Sequence, residues 1–183
     1  MSKNRHGLWT VGHSTRPIEE FIEALNSFEI KILADVRSFP GSRRYPQFNQ
    51  AQLATSLTEV GIEYQHFPEL GGRRRAHPQS HNIAWRNESF RGYADYMETE
   101  DFRKGIARLC NLARARHAAI MCAEALWWQC HRSMVADYLM SLGAEVQHIL
   151  GPEKTEPHRY TAPARIVNGQ LTYHAVEEQM LIK

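Results

Sequence analysis

The sequence predicts an α/β fold: a single domain with a mostly parallel five-stranded sheet, helices on both faces and a small C-terminal β-hairpin. Short apolar runs of strand length alternate with segments whose apolar residues recur at helical spacing, through five units. With 183 residues and 43% hydrophobic content, the chain is long enough for one domain with a proper core. We therefore expect one domain over residues 1–183, with its core at 8–150 and a C-terminal extension at 151–183.

The first three units follow one another directly. Residues 8–12 are apolar and predict the first strand, and Pro17 suits the first turn of the helix that follows. Residues 31–36 and 62–67 predict the second and third strands, and Gly61 ends the helix between them. Each of these strands runs into a polar turn.

The last two units come after a long irregular stretch. Residues 73–89 have neither a helical nor a strand period, which is typical of a functional lid or a disordered loop, where His77, His81 and Trp85 either contact a ligand or have no role. The segments after it predict two helices at 90–97 and 101–116, strands at 118–121 and 144–150, and between those strands a helix opened by residues 130–133. Asn168-Gly169 predicts the turn of the hairpin.

Composition excludes several classes of protein. No run of 18 apolar residues and no signal-peptide pattern is present, so we expect a cytoplasmic protein with no membrane partner. The chain has three cysteines, and such a small, odd number argues against a disulfide framework. The net charge of +2 does not by itself indicate nucleic-acid binding, yet 17 of the 22 basic residues are arginines. Arginine suits bidentate binding of phosphate or carboxylate, although a solvated arginine-rich surface is the simpler interpretation of any single one.

Polar side chains follow each of the strands. Right-handed crossovers bring the carboxyl ends of parallel strands to one edge of the sheet, where α/β proteins bind ligands. The groups that we expect to converge there are His13 and Ser14, Asp35 and Arg37, Glu69 and Arg73, and Cys122 and Glu124. The segment 117–142 adds Cys130, His131 and Arg132 at the predicted start of a helix, whose free N–H groups favour anions.

The same motifs resemble those of a known family. GHSTR after the first strand, DVRSFPGSRRYPQF after the second, ELGGR after the third, MCAE after the fourth and CHR at the next helix are similar to the bacterial domain-of-unknown-function family 488 (DUF488). The resemblance covers residues 8–150. It implies an α/β fold and a site built from these motifs, and it supplies no established reaction.

Our first functional hypothesis is an enzyme that binds an anionic, phosphate-bearing substrate, such as a nucleotide or nucleic acid. Asp35 or Glu124 would be the general base, because a desolvated carboxylate can have a raised pKa. Alternatively, Asp35 merely pairs with an arginine. Tyr45, Trp85, Trp127 and Trp128 offer stacking surfaces. The predicted substrate-binding residues are His13, Ser14, Arg37, Ser38, Arg43, Gly71, Gly72, Arg73 and Arg132.

A second hypothesis makes Cys130, or less favourably Cys122, a nucleophile. The order strand, cysteine, loop, arginine, helix is similar to rhodanese-like sulfurtransferases, and a thiol beside His131 and Arg132 would be activated. This reading predicts a cysteine-dependent transferase or phosphatase with Cys130 and His131 as catalytic residues. The loop is poor in glycine, however, and Arg132 follows Cys130 by only two residues, which argues against an amide cradle.

Two further alternatives remain open. Cys122, Cys130 and His131 are candidate metal ligands, but their spacing lacks the C-x-x-C pair common in zinc sites, so the sequence requires no cofactor. A non-catalytic nucleic-acid-binding module would need the arginines to form a stripe across the surface. We expect Cys110 and His148 to be core residues without chemistry. The sequence gives no indication of the oligomeric state.

Overall fold

Five parallel strands and one antiparallel edge strand form the main sheet of this domain. The structure is a computed structural model that describes residues 7–175. The strands are β1 (Leu8–Gly12), β2 (Ile32–Asp35), β3 (Glu63–His66), β4 (Ala118–Cys122), β5 (Val146–Gly151), β6 (Lys154–Pro157), β7 (Arg165–Val167) and β8 (Gln170–Thr172). The α-helices are α1 (Ile18–Asn26), α2 (Gln50–Glu59), α3 (Glu88–Met97), α4 (Glu100–Ala115) and α5 (Arg132–Ser141).

The sheet order is β3-β2-β4-β1-β5-β6, so the predicted α/β fold is confirmed. The sixth strand, β6, is absent from the sequence prediction and runs antiparallel to β5. Its residues are polar and lie at the sheet edge, where no alternating apolar pattern is needed. The parallel register pairs Gly12 with Cys122 and Asp35 with His66. The last residues of the parallel strands therefore meet along one edge.

Two hydrophobic cores cover the two faces of the sheet. Helices α1 and α2 pack on one face, and α3, α4 and α5 pack on the other. Strand β4 is buried along its whole length, and its side chains alternate between the cores, with Ile120 in one and Met121 in the other. Strands that are covered on both faces have continuous apolar runs, which is why β4 could be predicted from the sequence.

The chain leaves the two central strands in opposite directions. From β1 it passes through α1 to β2 on one side, and from β4 it passes through α5 to β5 on the other side and on the other face. Ligands of open α/β sheets bind in the crevice that such a divergence opens beyond the strand ends. In this domain the two strands between which the chain diverges, β1 and β4, end side by side at Gly12 and Cys122.

The hairpin β7-β8 turns at Asn168 and Gly169, as predicted, and both have positive φ. The residues on both sides of it are tied to the domain by Asp137 of α5, whose carboxylate accepts hydrogen bonds from His158 and Thr161 before the hairpin and from Tyr173 after it. The predicted border between core and extension at residue 150 stays a prediction, and residues 176–183 of that extension lie outside the described residues.

The irregular segment 73–89 is ordered by contacts with α3. The Asp95 carboxylate accepts hydrogen bonds from the His77 amide, the Ser80 hydroxyl and the Asn82 side chain. Trp85 packs against the core, whereas His77 and His81 are exposed. Within residues 7–175 there is no helix with the length and apolar composition needed to cross a bilayer.

Candidate active site

A cleft of about 300 Å³ opens at the carboxyl ends of the central strands. A larger cavity of about 490 Å³ lies under the C-terminal hairpin, and none of the strand-end motif residues lines it. We therefore take the smaller cleft as the candidate site. The residues that line it are Arg37, Ser38, Phe39, Gly72, Arg73, Ser89, Phe90, Cys122, Ala123, Glu124, Gln129, Cys130 and His131.

Gly12 allows the loop after β4 to close over the end of β1. A Cβ atom at this position would overlap the carbonyl group of Glu124 and would lie 2.8 Å from Nη1 of Arg132. The loop is also held by backbone hydrogen bonds from the His13 amide to the Cys122 carbonyl and from the Ser14 amide to the Ala123 carbonyl. The backbone of the loop after β4 can therefore take this path only with a glycine at the end of β1. The sequence analysis did not identify this residue.

Arg132 is an internal cation whose acceptors are carbonyl oxygens and a sulfur atom. Its side chain is 1% exposed. Nη1 donates to the carbonyl oxygens of Val11 (3.1 Å) and Glu124 (2.7 Å) and to Sγ of Cys122 (3.0 Å), while Nη2 donates to the carbonyl oxygen of Ala125 (3.0 Å). Among the described residues, its Nε has no hydrogen-bond partner. Burial lowers the pKa of this guanidinium to about 9.

The Sγ atoms of Cys122 and Cys130 are in direct contact. The pair joins the end of β4 to the residues just before α5. The amide of Arg132 also points at Sγ of Cys130, 3.5 Å away, and the next two amides, of Ser133 and Met134, donate to the carbonyl oxygens of Cys130 and His131. These amides at the helix start are therefore occupied within the chain, and α5 begins at Arg132 rather than at Cys130.

His131 is neutral and has a defined orientation in the cleft wall. Its Nε2 lies 3.1 Å from the carbonyl oxygen of Val36, so Nε2 carries the proton and donates it. Nδ1 is then unprotonated and lies 3.5 Å from Sγ of Cys130. Burial lowers the pKa of His131 to about 4. A Cβ on Gly72 would come within 2.6 Å of the His131 ring, so this glycine lets the ring lie flat against the chain.

Asp35 is buried and fully engaged. Its carboxylate accepts hydrogen bonds from Nε and Nη2 of Arg37, at 2.9 and 2.6 Å, and from the hydroxyl of Tyr64 at 2.6 Å. Burial, followed by this hydrogen bond, raises the pKa of Tyr64. Nη1 of Arg37 donates to Nε2 of His13, 3.3 Å away, and burial lowers the pKa of His13 to about 4. The arrangement matches the alternative in which Asp35 pairs with an arginine.

The opposite wall carries a guanidinium that is free to bind a ligand. Arg73 is exposed, no carboxylate pairs with it among residues 7–175, and its guanidinium lies 5.4 Å from the ring of Phe39. Phe39 itself is 71% exposed. The Ser38 hydroxyl accepts a hydrogen bond from the Arg73 amide. The positive charge of Arg73 and the aromatic ring of Phe39 therefore lie side by side at the rim of the cleft.

The predicted site residues fall into three groups. Arg37, Ser38, Gly72, Arg73, Cys122, Glu124, Cys130 and His131 line the cleft. His13, Asp35, Gly71 and Arg132 lie behind it and position those residues, with Gly71 packed against Ser38. Ser14 and Arg43 are not part of the lining. The side chain of Glu124 is exposed, while its carbonyl oxygen is bound to Arg132.

The predicted aromatic surfaces differ in accessibility. Trp127 stacks on the ring of His148 with centroids 4.2 Å apart, and Trp85 and Tyr45 pack against the cores. Trp128 is 50% exposed. Phe39 and Phe90, which the sequence analysis did not select, are the aromatic residues that line the cleft. The position of Phe39 directly after the DVRS motif was the signal that could have identified it.

His148 is a satisfied core histidine, as expected. Its Nδ1 accepts a hydrogen bond from the hydroxyl of Thr10, and its Nε2 donates to Nδ1 of His158, which in turn donates to Asp137. Within residues 7–175, no group of three or more His, Cys, Asp or Glu is arranged to hold a metal ion. Cys122, Cys130 and His131 nevertheless lie together in the cleft.

The comparisons with known proteins give a family and no activity. A family model described as "Domain of unknown function DUF488" matches residues 17–139, well over half of the chain. No curated protein and no solved structure matches the sequence. The resemblance noted from the motifs is thereby confirmed, and any activity has to be argued from the cleft.

Proposed function

The chain belongs to the DUF488 family, and we propose that it is an enzyme that binds a small phosphate-bearing substrate, such as a nucleotide, in the cleft. One observation carries the proposal: Arg73 presents an exposed guanidinium to the cleft, unpaired with any carboxylate of residues 7–175. Arg37 lines the same cleft, and Arg132 adds positive potential from below. Guanidinium groups bind phosphate in bidentate geometry.

The aromatic rim supports a nucleotide in particular. Phe39 lies at the edge of the cleft beside Arg73, and Phe90 lines it as well. A base stacked on Phe39 would leave its phosphate within reach of Arg73, which is the pairing of charge and stacking that nucleotide sites use. The cleft volume of about 300 Å³ suits a mononucleotide better than a duplex.

The general base in this proposal is Glu124. Asp35 is a weaker candidate because both its oxygens already accept hydrogen bonds from Arg37 and one also accepts from Tyr64. Glu124 lines the cleft with an exposed carboxylate that is free of such contacts among the described residues. The base would activate a water molecule or a substrate hydroxyl, giving a hydrolase or a transferase.

A second candidate, a cysteine-dependent transferase or phosphatase, is favoured by the contact between Arg132 and Cys122. A guanidinium 3.0 Å from Sγ stabilises a thiolate, the reactive form of a cysteine. The contact favours Cys122 over Cys130 as the nucleophile, whereas Cys130 has the unprotonated nitrogen of His131 beside it. Both candidates use the same cationic cleft.

Binding measurements with matched arginine variants test the proposal. Calorimetric titration of the reduced protein with nucleoside mono- and diphosphates, inorganic phosphate and uncharged nucleosides is expected to give binding of the phosphate-bearing ligands only. Arg73→Ala should weaken that binding about 10- to 100-fold, because a hydrogen bond to a charged group is lost. Arg43→Ala is the matched control, since Arg43 is also exposed but lies outside the cleft lining.

Turnover of the ligands that bind then separates the two candidates. Glu124→Gln should abolish product formation and keep binding if the carboxylate is the base, whereas Cys122→Ser should do so if the thiol is the nucleophile. Equal losses of affinity in the Arg73 and Arg43 variants would refute the cleft as the binding site. Salt-dependent binding of oligonucleotides without any turnover would instead indicate a nucleic-acid-binding module.

A further inference from the structure

Two of the three cysteines meet in the cleft, and the third does not. Cys122 and Cys130 touch through their Sγ atoms and both line the cleft, where they are 3% and 5% exposed. Cys110 lies on α4, at a distance from the strand ends, and burial raises the pKa of its thiol. The chain therefore contains a dithiol pair together with an internal control cysteine.

The surroundings of Cys122 favour its thiolate form when the pair is reduced. Arg132 is a buried cation, and a buried charge without an anion is costly. Three of its four acceptors are neutral carbonyl oxygens, and the fourth is Sγ of Cys122. Among residues 7–175, no carboxylate forms an ion pair with Arg132. The thiolate of Cys122 is thus the anion in direct contact with this guanidinium.

The surroundings of Cys130 suit the opposite role, that of a thiol that gives up its proton during attack. Nε2 of His131 donates to Val36, which leaves the unprotonated Nδ1 facing Sγ of Cys130 at 3.5 Å. The Arg132 amide points at the same sulfur atom and stabilises the negative charge that develops on it. A proton acceptor and an N–H donor are therefore both in place at Cys130.

We propose that Cys122 and Cys130 form a thiol–disulfide exchange site whose co-substrate is a low-molecular-weight disulfide bearing carboxylates. The Cys122 thiolate attacks one sulfur of the small disulfide, which breaks its S–S bond, releases one thiolate and forms a mixed disulfide. Cys130 then loses its proton to His131 and attacks the Cys122 sulfur, which releases the second thiolate. The dithiol is oxidised to the Cys122–Cys130 disulfide and the small disulfide is reduced to two thiols. The proton of Cys130 passes to the second released thiolate, and the first takes from solvent the proton that Cys122 gave up when its thiolate formed.

The cleft selects the charge of this co-substrate. Arg73 lies on its wall and Arg132 lies beneath it, and the charge of Arg37 is balanced by Asp35, so the two unpaired arginines face the single carboxylate of Glu124. Carboxylates of an anionic disulfide would bind where the phosphate of the proposed substrate binds. The inference does not depend on the proposed reaction, but it shares the arginine-lined cleft.

Trapping with glutathione disulfide tests the exchange. The full chain is reduced, freed of reductant and treated with glutathione disulfide, and the products are followed by intact mass and peptide mapping. The native sequence is expected to lose two hydrogens and form the Cys122–Cys130 bond without a stable adduct. Cys130→Ser should stop at one glutathione on Cys122, while Cys110 stays free. Cystamine, a cationic disulfide, should react at least tenfold more slowly at Cys122.

A second measurement keeps the test independent of folding defects. Iodoacetamide alkylation of Cys122 in the Cys130→Ser variant is followed against pH, with Cys110 in the same molecule as the reference. We expect Cys122 to react at least tenfold faster than Cys110 at neutral pH. Reaction of Cys110 as fast as Cys122, or a glutathione adduct on Cys130 in preference to Cys122, would overturn the proposal. Phosphate binding by the Cys122→Ser, Cys130→Ser double variant reports separately on the proposed function.

Discussion

Gly12 has a role in the site that depends only on its size. The Glu124 carbonyl group and Nη1 of Arg132 occupy the space that a side chain would need. Because the same carbonyl oxygen accepts from Arg132, the glycine keeps three parts of the molecule in contact: the end of β1, the loop after β4 and the start of α5. A glycine whose role is only to leave space has no functional group that would mark it as a site residue in the sequence.

The substitution Gly12→Ala is expected to lower the free energy of unfolding by about 1–3 kcal/mol, because the added methyl group forces the loop away from the strand end. Urea denaturation measures the change. Gly41→Ala is the matched control, since a Cβ on Gly41 would have no neighbour within 4 Å. Equal stability of the Gly12 variant and the native protein would contradict the close approach.

At the scale of elements, helix α5 connects two regions with different roles. Its first residue, Arg132, lies under the cleft, and Asp137, near its middle, binds the C-terminal segment. Asp137 accepts hydrogen bonds from His158, from the amide and hydroxyl of Thr161, and from the hydroxyl of Tyr173. Burial, followed by the Asp137 charge, raises the pKa of Tyr173, so its hydroxyl stays protonated and donates. One buried carboxylate thus holds the segment from His158 to Tyr173 against the domain.

The substitution Asp137→Asn should release this segment, because an amide cannot accept all four hydrogen bonds and leaves buried donors unpaired. We expect the free energy of unfolding to fall by about 2–4 kcal/mol and limited proteolysis to cut within residues 158–175. Tyr173→Phe removes one of the four hydrogen bonds and should lower the free energy of unfolding less. Tyr160→Phe serves as the control, since Tyr160 is 38% exposed and makes no bond to Asp137 in the structure. Unchanged protease resistance of the Asp137 variant would show that the segment is held by other contacts.

At the scale of the whole molecule, three histidines whose pKa is lowered by burial make stability depend on pH. Burial lowers the pKa of His13 and of His131 to about 4 and, with additional effects of His158 and Arg132, that of His148 to about 3. The unfolded chain takes up these protons near pH 6.5, whereas the folded protein does not do so until about pH 4. The unfolded state therefore binds more protons between these values, and stability is lost as the pH falls.

The expected result is a free energy of unfolding that decreases from pH 7 to pH 5, with a slope of about 1.4 kcal/mol per pH unit for each histidine that is protonated only in the unfolded state. Urea denaturation at pH 7, 6 and 5 gives the slope. A His77→Gln variant should have the same slope as the native protein, because His77 is exposed. A stability that is flat between pH 7 and pH 5 would mean that these histidines bind protons equally well in both states.

The sequence predicted the central parallel strands because they are apolar runs covered on both faces, and β4 is the clearest case. Strand β3, at the sheet edge, is polar and partly exposed. The polar edge strand β6 had no such pattern. Most of the motif residues lie at one edge of the sheet because parallel strands end there, whereas Glu69 pairs with Arg108 instead and Ser14 lies outside the cleft lining. The partners of Asp35 and Arg132 could not be predicted, since a sequence does not say whether a buried charge faces a ligand or another part of the chain. Contact between Cys122 and Cys130 likewise depends on the path of the loop between them.

The position of β1 in the sheet has a consequence for how the domain is assembled during synthesis. The first strand to leave the ribosome pairs only with β4 and β5 in this sheet. It can therefore pair only after more than a hundred further residues have been added. Until then the nascent chain is prone to misassembly, and the cleft forms only when β1 pairs with β4.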